Sequence, residues 1–249
     1  MKSWIITNDE RFFYGPMYCE LIDKCSKHIG GIIILPPIVR INNFDNFLEE
    51  IKYFFGFLGL KGFFYLIYLW IKSFIFGYGN IENCSKKNNI KIYHLDQLES
   101  CEKILLKYKP KLIISTVNKL VKKKLLNLSN KGWANIHCGD LPRYAGLNAL
   151  FWSMYYAEKN LSVSIHLMDE KFDSGNLIKQ KKILNDGAPY FIQLSNLLNL
   201  ATNELVDLLN DIDKSLKTSW INNKSKRTYF SKPKAKDGKE FRKNGGRFI

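Results

Sequence analysis

Short apolar runs that recur between longer stretches of helical character constrain this chain most. Trp4-Ile5-Ile6-Thr7 is the first, and residues 15–28 after it carry helical periodicity. Gly30-Gly31 breaks that helix, and Gly31 to Leu35 forms the second run, closed by Pro36-Pro37. Residues 90–93 give a short strand and residues 97–108 a helix. Pro110 then precedes Leu112-Ile113-Ile114-Ser115, residues 116–132 read as a loop with a basic helix, and Gly132 breaks that helix before Trp133-Ala134-Asn135-Ile136. Strand and helix in alternation predict a parallel sheet with right-handed crossovers.

The pattern then changes. Leu147 to Glu158 reads as a helix, and residues 162–168 alternate, with Val163, Ile165 and Leu167 on one side and Ser162, Ser164 and His166 on the other. A short polar loop, 169–176, leads to a strand over 177–183, which makes the two strands an antiparallel edge hairpin. Phe191, Leu194, Leu197, Leu198, Ala201, Leu205, Leu208 and Leu209 line one face of a long helix. The expected fold is α/β: a Rossmann-like, mostly parallel sheet with flanking helices, an antiparallel edge hairpin and a short C-terminal extension. The first loop lacks GxGxxG, so a dinucleotide reading has little support. The expected organisation is a catalytic domain over 1–210 and a basic extension over 211–249.

Apolar residues make up 46% of the 249, enough for one domain with a sizeable core and too many for general disorder. The formal charge of +15 suits an acidic partner: nucleic acid, an anionic membrane surface or a phosphorylated small molecule. Part of that charge sits between Lys224 and Arg247, a stretch read as loop-like and solvated. The five cysteines, Cys19, Cys25, Cys84, Cys101 and Cys138, are scattered with no CxxC or metal-type spacing, and no metal site is expected. The strand-like opening leaves no room for a signal peptide, so a cytoplasmic location is expected. Residues 44–79 are the most apolar region, interrupted by Lys61, Lys72, Gly56, Gly59 and Gly62. They are expected to form two short helices packed on the domain, with shallow contact with a membrane surface as the alternative and no stable insertion.

One constellation carries chemistry. Asn135 and His137 are two residues apart on a strand, so their side chains share a face. They stand at the carboxyl end of that strand, where open α/β sheets place their sites. A histidine can take a proton from an attacking amine, an amide can donate to the oxygen of a tetrahedral intermediate, and a carboxylate can orient and charge the imidazole. Asp173, in the turn before the last strand, is the candidate carboxylate. His28 and His94 read as structural and His166 as a surface or rim residue.

Asn135-Ile136-His137, Leu141-Pro142-Arg143-Tyr144-Ala145-Gly146 and Met168-Asp169-Glu170-Lys171-Phe172-Asp173-Ser174-Gly175 stand in order around a helix and a strand. This arrangement resembles the formyltransferases that use N10-formyltetrahydrofolate, most strongly over residues 112–185. The resemblance implies Asn135, His137 and Asp173 as the catalytic residues and N10-formyltetrahydrofolate as co-substrate. It places that folate between Asn118, Lys119, Leu120 and Val121 on one side and Asp169, Glu170, Lys171 and Phe172 on the other. Cys138 stands where the family commonly has proline or serine and is read as passive.

The short sugar N-formyltransferases fit best among the family's branches. Some forty residues beyond the long helix are too few for the tRNA enzyme's extra barrel, the first loop lacks the glycine-rich phosphate cradle of the ribonucleotide enzyme, and the tail Tyr229-Phe230-Ser231-Lys232-Pro233 reads like theirs. The expected acceptor is a GDP- or dTDP-linked amino sugar of the 4-amino-4,6-dideoxyhexose type, for a surface polysaccharide such as O-antigen. Arg143 and Tyr144 are expected at the substrate mouth. Nucleic acid is not the expected partner, although an aminoacyl-tRNA or amino ribonucleotide acceptor, or a non-catalytic basic binding module, remain open. The aromatics of 44–79 could form a homodimer interface or core.

Overall fold

A computed structural model describes residues 1–37, 44–217 and 227–249. In chain order the elements are β1 (Ser3–Asn8), α1 (Tyr14–Cys25), β2 (Ile29–Leu35), α2 (Phe44–Phe76), α3 (Ile81–Lys87), β3 (Ile92–His94), α4 (Cys101–Tyr108), β4 (Ile113–Ser115) and α5 (Lys123–Leu126). They continue with β5 (Trp133–His137), β6 (Ala145–Gly146), α6 (Ala149–Tyr155), β7 (Asn160–Leu167), β8 (Leu177–Leu184), α7 (Tyr190–Asn210), α8 (Ile212–Lys217), β9 (Tyr229–Phe230) and α9 (Ala235–Lys243).

The main sheet runs β3-β2-β1-β4-β5-β7-β8. The strands from β3 to β5 pair in parallel, and β7 is antiparallel to both β5 and β8. The α/β fold and the edge hairpin are therefore as expected. Strand alternation builds a core on each face. Ile5, Ile32, Ile34, Ile114 and Ile136 pack with residues of α1 and α7, such as Leu21, Leu197 and Leu205. Trp4, Ile6, Ile33, Ile113 and Trp133 pack with Leu98, Leu105 and Leu125 on the other face. Sheet residues buried on both sides explain why these runs read as continuously apolar.

Three expectations are corrected. Gly30 and Gly31 do not separate a helix from a strand; both lie inside β2. A side chain on Gly31 would run into the Trp4 indole within 2.6 Å, so the glycine makes room for a ring on the neighbouring strand. The stretch 116–132 holds only the single turn α5. Cys19 and Cys84 are not isolated thiols: they form a disulfide that joins α1 to α3, with Cα atoms 5.5 Å apart.

From Arg227 on, the C-terminal segment is not a solvated tail; Lys224, Ser225 and Lys226 lie outside the described residues. Over 227–249, β9 pairs in parallel with β6, and Phe241 and Phe248 are buried with Phe57, Phe151 and Phe191 in an aromatic cluster. Each fully buried aromatic of this kind contributes about 1.5–3 kcal/mol. The stretch 44–79 holds two helices, as expected: α2 is interrupted at Gly59, where φ is 73°, and a helix on each side meets at this kink. The kink interrupts the backbone ladder, and Arg242 of α9 compensates by donating to the carbonyls of Phe57 and Gly56.

Candidate active site

Register brings the polar residues together. In the β5–β7 pair, Asn135 lies opposite His166, and His137 lies opposite Ser164. Directly opposed residues of an antiparallel pair have their side chains on the same face. The Asn135 Nδ2 is 3.1 Å from His166 Nε2. His166 Nδ1 lies 2.9 Å from the Leu167 carbonyl, which can only accept, so Nδ1 carries a proton. In the neutral ring Nε2 is then the acceptor, and the Asn135 amide donates to it. In that tautomer the second N–H of the amide is left free.

His137 has the opposite tautomer. Its Nε2 lies 2.6 Å from the Tyr144 carbonyl, so Nε2–H donates and Nδ1 bears the lone pair. Nδ1 faces Asp173 Oδ1 at 3.7 Å, and His166 Nε2 lies 3.5 Å from the same oxygen. Asp173 Oδ2 accepts from the Gly146 N–H at 2.7 Å. Burial lowers the His137 pKa below its ordinary 6.5, although the Asp173 charge and the Tyr144 hydrogen bond pull upward. Burial also acts to raise Asp173, but the contacts with His166, His137 and Gly146 outweigh it and hold the carboxyl at about 2. At neutral pH His137 is thus a neutral imidazole beside the Asp173 carboxylate.

Two loops hold this geometry. After β5, the Ser164 hydroxyl donates to the Gly139 carbonyl at 2.6 Å and accepts from Gln180 Nε2 at 3.0 Å. A Cβ on Gly146, where φ is 99°, would stand 2.1 Å from the Phe230 carbonyl; glycine alone permits the β6–β9 contact that aims its N–H at Asp173. After β7, Asp169 Oδ1 accepts from the Lys171 N–H at 2.9 Å and from the Ser174 hydroxyl. Asp173 itself is left-handed, with φ 49°, a conformation aspartate tolerates better than most residues.

A cavity of about 260 Å³ opens over these groups. Asn118, Lys119, Leu120 and Val121 line it on one side, and Asp169, Lys171 and Phe172 on the other, with Asn135, His137, His166 and Asp173 at its base. Glu170 lies instead in an adjoining cavity with Lys171, Arg227 and Tyr229. Arg143 and Tyr144 line neither cavity. Arg143 pairs with Glu158, the Tyr144 hydroxyl donates to Glu158 at 2.8 Å, and Tyr144 acts on the site through its carbonyl. Cys138 lines the cavity, but burial pushes its thiol up to about 12 against the hydrogen bond of Tyr14, so it stays protonated. Among the described residues no His, Cys, Asp and Glu group is suited to a metal ion.

His166 is the residue that sequence reasoning misplaced: it is 1% exposed. Its alternation with Ser162 and Ser164 was visible, but the pairing that turns that face toward Asn135 was not. Tyr14 and Asn148 also line the cavity and carried no sequence signal, and Tyr229 joins them from the tail motif.

Residues 84–186 match the Formyl transferase family. The matched segment carries Asn135, His137 and Asp173. Over 103 residues it is 31% identical to a methionyl-tRNA formyltransferase of Ehrlichia ruminantium, covering 41% of this chain and 34% of that one. Over 77 residues it is 36% identical to a GDP-perosamine N-formyltransferase of Brucella melitensis, covering 30% of each. The chain therefore spans about a third of the length of the curated relatives it matches. Its fold is similar to that of the N-formyltransferase from Helicobacter canadensis solved with folinic acid and dTDP-3-aminofucose, with a TM-score of 0.56 and 16% identity over 93% of this chain and 71% of that one.

Proposed function

We propose that this chain moves a formyl group from N10-formyltetrahydrofolate to the amine of a nucleotide-linked amino sugar. The observation that supports transfer most is the fixed pair of tautomers. Asn135 has one N–H held by His166 and a second free to donate to the formyl oxygen as it becomes an oxyanion. His137 has Nε2 tied to a carbonyl and Nδ1 unprotonated beside Asp173. Nδ1 takes the proton that the amine loses as it attacks the formyl carbon, and the Asp173 charge stabilises the imidazolium so formed. Collapse of the intermediate breaks the bond to the folate nitrogen, which receives the proton held on His137 Nδ1, so that the imidazole returns to its neutral form. The folate lies in the cavity between the segments 118–121 and 169–172, whose walls reach the catalytic groups.

The acceptor reading rests on the similarity to sugar N-formyltransferases. The adjoining cavity sets Arg227, Lys171 and Tyr229 among the carboxylates of Asp169, Glu170 and Asp173, so only the two basic groups and the ring suit a diphosphate and a base. The start of α1 offers no rival phosphate site: the Glu10 carboxylate already accepts from the N–H groups of Phe12, Phe13 and Tyr14, so an anion there would be repelled. A 4-amino-4,6-dideoxyhexose on GDP or dTDP is the acceptor class proposed, made in the cytoplasm for a surface polysaccharide. A tRNA acceptor is the second reading, favoured by the similarity to the Ehrlichia ruminantium enzyme. Turnover of formyl-folate by the purified chain, offered a panel of nucleotide-linked amino sugars and methionyl-tRNA in parallel, separates them. Formylation of a sugar amine is expected; formylation of the tRNA alone would move the acceptor, and no turnover with any amine would refute the reading.

A further inference from the structure

Beyond Gly59, the outer face of α2 has no place in formyl transfer and lies open to solvent. Beyond the Gly59 kink, Phe64, Trp70 and Phe74 are 58%, 59% and 77% exposed, and Ile67, Ile71 and Ile75 are exposed with them. The stretch Asn46–Lys87, which runs from α2 through α3, is long and apolar enough to cross a membrane by length and composition, with mean hydropathy 1.6 over its most apolar window, of which 22% is buried; Gly59 divides it. The expected packing of this stretch into the core is therefore met on one side only.

That side is firmly engaged. Leu69 and Ser73 are buried, the Tyr65 ring stacks on Phe191 at 5.3 Å, and a Cβ on Gly62 would touch Phe248 at 3.4 Å. A helix that crossed a bilayer would have to shed these contacts with the α/β domain. A helix that lies in the plane of the interface keeps them and still buries its outer face. Leu60 to Phe76 gives about 25 Å of such helix. Its border at the Gly59 kink is basic. Lys61 is exposed there, and α9, which packs on α2 through Phe57 and Arg242, carries exposed Lys236, Lys239 and Lys243, with Lys234 at its N-cap, against one exposed acid, Glu240.

We propose that α2 is a monotopic docking surface for an anionic lipid bilayer, with the aromatic and isoleucine face in the acyl boundary and the flanking lysines at the headgroups. Charge selects this occupant over a second copy of the chain. Two proteins of formal charge +15 repel across such a face, whereas an anionic headgroup layer attracts it. Docking is independent of the acceptor, because its test needs no turnover.

The test is co-sedimentation of the full chain with phosphatidylglycerol-containing vesicles and with pure phosphatidylcholine vesicles. Wild type is expected to pellet with the anionic vesicles, less so as salt rises. The variant Phe64→Ser/Ile67→Ser/Phe74→Ser/Ile75→Ser is expected to partition at least about a hundredfold more weakly, with unchanged circular dichroism. Lys236→Glu/Lys239→Glu should lose the preference for anionic lipid. Should the apolar variant fail to fold, wild type mixed with brominated lipid answers instead: fluorescence quenching that disappears in Trp70→Phe supports docking. Wild type that stays in solution, an apolar variant that pellets like wild type, absence of Trp70 quenching, or a dimer that the serine variant splits without vesicle binding would each overturn the proposal.

Discussion

The base of the catalytic cavity and the outer face of α2 break the usual partition of residues in opposite ways. At the first, His137, His166 and Asp173 are polar groups drawn almost wholly out of water. At the second, Phe64, Trp70 and Phe74 are apolar groups left in it. The buried site meets its cost internally, since His137 Nε2, His166 and Asp173 Oδ2 each have a hydrogen-bond partner on β5, β7 or the loops after them. The α2 face has no such internal answer and points to something outside the chain. Burial of polarity here implies chemistry, and exposure of apolarity implies contact.

The strongest way to sharpen that contrast is to break the centre alone. Asp173→Asn should lower turnover by roughly 10²–10⁴-fold without changing vesicle binding. It should also move the pH profile. The His137 pKa lies below 6.5, so activity that needs neutral Nδ1 falls as pH drops through a value under 6.5. Asp173 raises that pKa, and its removal should shift the acid limb to still lower pH; a limb that stays in place would separate Asp173 from His137.

His166→Leu removes the acceptor that orients the Asn135 amide. Loss of one buried hydrogen bond predicts a fall in kcat of roughly ten- to a hundredfold, with the KM for folate little changed. An equal rise in KM would make His166 a packing residue. Gly146→Ala tests the scaffold beneath both. Left-handed backbone and a contact at 2.1 Å should cost about 1–3 kcal/mol, read as a lowered Tm and a weakened hold on Asp173. Cys138→Ser should change the rate by less than about threefold, because a thiol held near 12 supplies no nucleophile; inactivation would reopen a covalent route.

Much of the fold was legible in the chain itself. The apolar runs of β1, β4 and β5, the alternation of β7 and the leucine face of α7 each follow from local pattern, and Asn135, His137 and Asp173 sit at the sheet edge that their motifs implied. What escaped depends on neighbours distant in sequence. Gly31 reads as a breaker until Trp4 is seen across it, and His166 reads as a rim residue until the register with Asn135 is known. The disulfide joins residues 65 apart in sequence. Phe241 and Phe248 lie in a lysine-rich tail that looks solvated, and only their shared cluster with Phe57 and Phe151 shows why it folds back. Composition likewise marked α2 as apolar without telling which face the domain would cover.

The rate of formyl transfer by His137→Asn, measured with N10-formyltetrahydrofolate and the acceptor that wild type uses, bears most directly on the chemistry assigned to this site. A fall of roughly 10²–10⁴-fold in a protein that keeps its circular dichroism is the expected result. A rate within a fewfold of wild type would contradict the role of Nδ1 as the proton acceptor.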